Sequence, residues 1–266
     1  MSESISDAIV LREDHGSVTV ITLNEPARMN PLGDAMRERL GAALADLMSD
    51  PKVRVIVLTG NGGNFSAGAD VRQMQSADDR PDPQRSRQRL AMLQNIVRQI
   101  ITGPKPVIAA VEGVAFGAGL STAIACDYVI VGEGARLGAA FGKIGLAPDC
   151  GLLWSLPQRI GLSRTRDLIF TGRPMDASSA ADIGMADLLV PTGHALTQAL
   201  AKASEYLDTA PLTIAATKAA LAELPSNLEQ AFKIELHQQP LLSSTVDHAE
   251  ARVAFMTKRK PVFIGR

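Results

Sequence analysis

The run KPVIAAVEGVAFGAGLSTAIACD, residues 105–127, decides how the chain is read. Pro104 and Pro106 exclude a helix at its start, and Val107-Ile108-Ala109-Ala110-Val111 is the short apolar run that a buried strand makes. Gly113, Gly117 and Gly119 follow, so the backbone can take positive φ and approach a ligand before Leu120 to Cys126 resumes an apolar helical pattern. A strand, a glycine turn and a helix in that order leave free backbone N–H groups at the helix start, where the macrodipole favours negative charge. A dinucleotide fingerprint would need a third glycine where Thr122 stands, and a phosphate loop would need a Gly-Lys-Ser/Thr that is absent. What fits is a charge that develops only during reaction, such as an enolate oxygen held by two backbone N–H groups.

Upstream, the same logic recurs. Val53 to Thr59 reads as a buried strand, Gly60 to Asn64 as a tight loop, and Phe65-Ser66-Ala67-Gly68-Ala69-Asp70 as a second turn of small residues, so two turns could supply one N–H each. Before it, residues 9–23 predict a hairpin turning at His15-Gly16, and Leu32 to Met48 a helix with apolar residues at helical spacing. Ser76 to Arg89 is rich in charge and proline and fits either a lid over the site or a solvated surface segment. Leu90 to Ile101 returns to helical periodicity, Arg164 to Phe170 and Ala177 to Ile183 read as helices, and Leu188 to Pro191 as a strand end. From residue 195 only helical patterns follow, which divides the chain into a core of residues 1–194 and a helical part of residues 195–266.

Composition narrows the function classes. With 266 residues, 46% of them hydrophobic, the chain can bury a full core. Lysine and arginine number 27 against 28 acidic residues, so no global field recommends nucleic acid or an anionic membrane as partner. The start, MSESISDAIVLRED, is polar and acidic, and no apolar stretch reaches membrane-spanning length, which predicts a cytoplasmic protein. Cys126 and Cys150 lack metal-ligand spacing and read as small core residues; no metal site is expected.

The segments NEPARMNPL (24–32), NFSAGAD (64–70) and KPVIAAVEGVAFGAGLSTAIACD (105–127) together resemble the crotonase, or enoyl-CoA hydratase/isomerase, superfamily over nearly the whole chain. The resemblance implies an α/β fold, a spiral of repeated ββα units with a helical C-terminal region, assembled as a homotrimer or dimer of trimers. It implies an acyl-CoA thioester as substrate, with coenzyme A as part of that substrate and no separate cofactor. The oxyanion donors would be the backbone N–H groups of Ala69 and Ala118. Arg28 and Lys258 fall where family members contact CoA phosphates; Ala67, Asp70 and Val71 line the CoA groove, Gly117 belongs to the site, and Phe141 forms an acyl-pocket wall, as do Leu152 and Trp154 if they face inward.

The same resemblance sets the expected reaction. Hydratases of the family carry two glutamates, and the matching positions hold Ser121 and Phe141, neither of which can act as a general base near neutral pH. Asp149, in GLAPDCG (145–151), occupies a place where family members that isomerise enoyl-CoA double bonds carry their acidic residue, and the stretch from Ala140 to Gly161 is similar to the phenylacetate-pathway isomerase subgroup. A structural alternative stays open for Asp149, since Pro-Asp-Cys-Gly is good turn chemistry and an aspartate there could cap a helix starting near Leu152. Glu112 is expected to point away from the site, Asp127 to make structural hydrogen bonds, and the four histidines to lie at the surface. Ser66 has no histidine close in sequence to activate it as a nucleophile. The expected activity is enoyl-CoA isomerisation, with an atypical hydratase or an inactive acyl-CoA-binding protein as alternatives.

Overall fold

The computed structural model describes residues 8–70 and 83–266. Strands β1 (Val10–His15) and β2 (Val18–Leu23) form the expected hairpin, with His15 opposite Val18, so the reversal falls on Gly16 and Ser17. Helix α1 (Asp34–Ser49) buries Met36, Leu40, Leu44 and Leu47, and β3 (Val55–Gly60) follows. Helix α2 (Pro83–Thr102) begins seven residues before the expected Leu90, because the polar run after Pro83 consists of good helix formers on an exposed face. The part of the proline-rich segment before Pro83 lies outside the described residues, and with it the choice between lid and surface.

Strands β4 (Val107–Val111) and β5 (Val114–Phe116) lead into the short helix α3 (Ala118–Ile124), then β6 (Tyr128–Gly132) and β7 (Arg136–Gly138). Helix α4 (Leu152–Thr171) is two helices joined end to end, because Gly161 has non-helical dihedrals (φ 75°, ψ 161°). Strand β8 (Met175–Asp176), helix α5 (Ala177–Asp182), capped by the Asp176 side chain, and β9 (Leu188–Val190) complete the strands. Helices α6 (Ala195–Tyr206), α7 (Pro211–Glu223), α8 (Leu228–Ser243) and α9 (Val246–Met256) end the chain.

Six strands pair in the order β1-β2-β3-β4-β6-β9, parallel except for the β1–β2 hairpin, and β5-β7-β8 form a second, small sheet. The near-continuous apolar runs of the central strands reflect burial on both faces. Ile56, Leu58, Val107, Ala109, Val111, Val129 and Val131 join the core shared with α1 and α2. The alternate residues Val55, Val57, Ile108, Ala110 and Ile130 pack on the other face against Ala195, Ala199 and Ala203 of α6. The first helix beyond residue 195 is thus itself a layer of the sheet, and small residues along it let it lie close.

Helix α7 is tied to the core through Lys218, a buried ammonium that pairs with Asp127 and donates to Ile100 O at 2.9 Å. Among the described residues no helix is long and apolar enough to cross a membrane.

Candidate active site

Strands β3 and β4 are parallel neighbours with Thr59 opposite Ala110, so the turns that follow them leave the sheet at the same edge. There the two glycine turns are stitched together. Ser66 N donates to Val114 O at 2.9 Å, and Phe116 N donates to Ser66 O at 3.0 Å, forming a short parallel bridge of Ser66 with Ala115. Gly68 has φ +88°, and a Cβ there would stand 2.4 Å from Phe116 O and 3.2 Å from Ala118 N, so only glycine lets the chains come this close. The adjoining amides of Ala69 and Ala118 donate to no protein group among the described residues. Ala118 is the first residue of α3, and Gly117 before it, at φ +50°, donates to Gly138 O at 2.9 Å.

The first turn is braced from behind. Asn30, fully buried and itself at φ +52°, donates to Asn61 O at 2.9 Å and Asn64 O at 2.7 Å, while its Oδ1 accepts from Glu25 N at 2.9 Å. The Ser66 hydroxyl donates to Asn30 O at 2.7 Å and accepts from Gly68 N at 3.2 Å. That serine is therefore committed to the turn. The histidines at 15, 194, 237 and 248 are all exposed, so none stands in the core to activate it.

The expected hydratase positions carry no acid. The Ser121 hydroxyl is buried and donates to Gly117 O at 3.2 Å. Phe141 is buried with its ring against Gly117, where an added Cβ would be 3.9 Å from Cζ.

Asp149 is different. It precedes two consecutive left-handed residues, Cys150 (φ +52°) and Gly151 (φ +72°), a sharp bend in which a non-glycine residue is strained. Gly151, not Asp149, is the N-cap of α4, and no side chain caps that helix; only the Asp149 main-chain carbonyl accepts, from Leu152 N at 3.1 Å. The capping alternative thus fails. The Asp149 carboxyl is instead largely buried, and its Oδ1 has no hydrogen-bond partner among the described residues. Burial lifts this carboxyl above the ordinary carboxylate range, against the opposing pull of a hydrogen bond from the Cys150 thiol and the charge of Arg37. Burial also raises the Cys150 thiol, which leaves it protonated.

The other carboxylates have protein partners, although Glu112 Oε2, like Asp149 Oδ1, is buried without one among the described residues. Glu112 Oε1 accepts from Gly193 N at 2.9 Å and Ala195 N at 3.0 Å, at the start of α6 and away from the turns. Asp127 accepts from Val107 N at 2.7 Å and pairs with Lys218. Asp70 is buried and bonds Arg28 at 2.7 Å, and Arg28 also pairs with Glu25. Ala67 lies half-buried and donates to Met29 O at 2.8 Å. Lys258 stands exposed at φ +54° in the turn after α9. Val71 is outside the described residues. Leu152 is fully buried in the core, whereas Trp154 is 39% exposed.

Two residues of this region were not singled out by sequence, Asn30 and Arg37, and Cys150, read there as a small core residue, is indeed buried in the core. Arg37 alone carried a signal, since it falls at helical spacing with Leu40, Leu44 and Leu47 on the apolar face of α1.

The family model for enoyl-CoA hydratase/isomerase matches residues 13–266. The chain belongs to this family. It is 33% identical to the 1,2-epoxyphenylacetyl-CoA isomerase of Escherichia coli strain K12, over 97% of this chain and 98% of that one. It is 34% identical to the 2,3-dehydroadipyl-CoA hydratase of the same strain, over 98% of this chain and all of that one. Among solved structures, an enoyl-CoA hydratase from Polaromonas sp. JS666 superposes with a TM-score of 0.90 at 32% identity, covering 96% of this chain and 99% of that one. The parallel sheet, the small second sheet and the trailing helices are thus the crotonase fold, and the chain is an acyl-CoA enzyme of the enoyl-CoA hydratase/isomerase family.

Proposed function

We propose that this family member is an enoyl-CoA isomerase in which Asp149 is the single acid/base. The reading rests on one observation: where the family's hydratases carry glutamates this chain has Ser121 and Phe141, while Asp149 keeps a buried carboxyl oxygen with no hydrogen-bond partner among the described residues. Asp149 removes a proton from the α-carbon of a 3-enoyl thioester, the electron pair moves onto the carbonyl oxygen, and the amides of Ala69 and Ala118 hold the enolate. The protonated Asp149 then returns the proton to the γ-carbon, leaving the conjugated 2-enoyl thioester with no net change in atoms. Each donor to the enolate oxygen is worth about 3 kcal/mol in the transition state, which is why two main-chain amides suffice and alanine serves as well as glycine at position 118.

Arg28 and Lys258 are the cations proposed to meet the CoA phosphates, with Ala67, Asp70 and Val71 along the groove. Arg28 already balances two carboxylates, so phosphate contact there asks Glu25 or Asp70 to yield. The exposed apolar residues of the last helices, Phe232, Leu236, Phe255 and Met256 among them, fit burial against neighbouring subunits of a trimer in the cytoplasm. The test is turnover of 3-hexenoyl-CoA, followed by the rising absorbance of the conjugated product, in the wild-type chain and in Asp149→Asn. Loss of turnover with retained acyl-CoA binding is expected, and undiminished turnover in the variant rejects the assignment. Hydration of crotonyl-CoA, read as loss of the same absorbance, would instead identify a hydratase. Tight acyl-CoA binding without turnover of either compound would identify a binding protein.

A further inference from the structure

The chain holds one Asn-Gly pair, Asn61-Gly62, in the tight loop that joins β3 to the first glycine turn. Both residues are exposed, so water and base reach them. The Gly62 nitrogen stands 2.8 Å from Asn61 Oδ1 with its N–H donated to that oxygen, and it has no other acceptor among the described residues. The amide carbon of Asn61, one bond from Oδ1, is therefore in near-attack position for the backbone nitrogen that can close a five-membered ring on it. A glycine leaves that nitrogen unshielded, and the fold keeps glycine there: Gly62 is at φ +72°, and a Cβ on it would meet Pro26 Cβ at 2.5 Å. The other five asparagines lack this arrangement. Asn30 is followed by Pro31, which has no N–H, and Asn24, Asn64, Asn95 and Asn227 by the larger Glu25, Phe65, Ile96 and Leu228.

We infer that Asn61 is a self-modification site, at which the chain forms a succinimide and then an aspartyl or isoaspartyl linkage without an enzyme. The Gly62 amide gives its proton to solvent base, and its nitrogen bonds to Asn61 Cγ. The Cγ–Nδ2 bond breaks, and ammonia leaves with a proton taken from solvent. Water then opens the ring at either carbonyl, giving aspartate, or isoaspartate with the main chain routed through Cβ and Cγ. The change matters because Asn61 is a joint of the braced turn. Its main-chain oxygen accepts from the buried Asn30 Nδ2 at 2.9 Å, its N donates to Leu23 O at 2.9 Å, and its Nδ2 donates to Asn24 Oδ1 at 2.8 Å. Either product removes the donor to Asn24 Oδ1, and Asn24 cannot turn its amide without giving up its own bond to Ala8 O at 2.8 Å. Isoaspartate also lengthens the main chain by one carbon and makes the carbonyl that holds Asn30 a free carboxylate. The brace behind the turn that presents the Ala69 amide is thereby loosened. None of this chemistry involves substrate, so it stands or falls apart from the isomerase reading.

The test incubates the full-length chain at physiological temperature in mildly alkaline and in mildly acidic buffer, with a synthetic peptide of residues 58–66 as the clock for an unconstrained Asn-Gly. Peptide mass spectrometry should find a gain of about one mass unit at residue 61 before any other asparagine changes. The gain should come faster in the alkaline buffer, because the attacking nitrogen must first shed its proton, and isoaspartyl methyltransferase should label the same peptide. Asn61→Gln, whose amide would have to close a larger ring, should stay unlabelled. The converted fraction, separated by charge, should melt about 2–4 °C below the fresh chain. A chain whose residue 61 is unchanged once the peptide has fully converted, or in which another asparagine reacts first, overturns the inference. A converted fraction that melts with the fresh chain overturns the link to the Asn30 brace.

Discussion

The amide of Phe116 donates to the carbonyl of Ser66 at 3.0 Å, and this bond fixes the turn after β3 against the turn after β4. The relative placement of the Ala69 and Ala118 amides follows from these main-chain contacts, with Asn30 and the Ser66 hydroxyl bracing the first turn from behind.

Gly68→Ala tests that contact. The new Cβ would meet Phe116 O at 2.4 Å with the backbone at φ +88°, so the turns must part. We expect a stability loss of about 1–3 kcal/mol and a fall in turnover of about 10²-fold or more, as when an oxyanion donor is lost. Thermal melts and the 3-hexenoyl-CoA assay measure both; wild-type turnover would show that the amides do not depend on this approach.

Asp149→Asn should raise stability even as it removes activity. The folded chain holds the Asp149 carboxyl above its unfolded value, so the native state binds more protons and stability from this group falls as pH rises through that window. Replacing the buried, partly unbonded carboxylate by a neutral amide should gain about 1 kcal/mol at neutral pH. The gain should shrink to nothing as pH drops below the ordinary carboxylate range. Denaturant titrations of both chains at several pH values check it, and a gain that grew on acidification would contradict the burial of this acid.

Phe141→Ala removes a buried ring beside Gly117. A loss of about 3 kcal/mol is expected from the cavity. If Phe141 walls the acyl site, preference among acyl-CoA substrates should move toward bulkier chains, read as a ratio of kcat/KM values across a chain-length series. A uniform loss for every chain length would assign the ring to packing alone.

Lys218→Met breaks the pair that fastens α7 to Asp127. Because Asp127 keeps partial solvent access, the cost should be about 2 kcal/mol, below the roughly 3–5 for a fully buried pair. Limited proteolysis should then cut first between α6 and α7. The double variant Lys218→Met with Asp127→Asn should recover part of the loss, since it no longer leaves a lone buried charge.

Much of this was legible in the residues. The runs 55–58 and 107–111 within the expected strands are uniformly apolar because both sheet faces are covered, and the turns at Gly68 and Gly117 announced themselves because only glycine takes those dihedrals without strain. The absence of acids at Ser121 and Phe141 needed only position matching. The start of α2 was missed because the polar run after Pro83 has no apolar stripe; its helix-forming residues face solvent, where periodicity leaves no mark.

By itself, then, the sequence determined the two glycine turns and the buried strands that deliver them, because each is a local property of residue type and spacing, while the missing acids at Ser121 and Phe141 were legible only through the family resemblance. Only the tertiary structure decided that Asp149 leaves the cap of α4 to Gly151 and that α6 is a layer of the sheet. An aspartate in such a bend can cap a helix or leave a buried oxygen without a partner, and which of the two occurs depends on what distant segments of the chain bury around it.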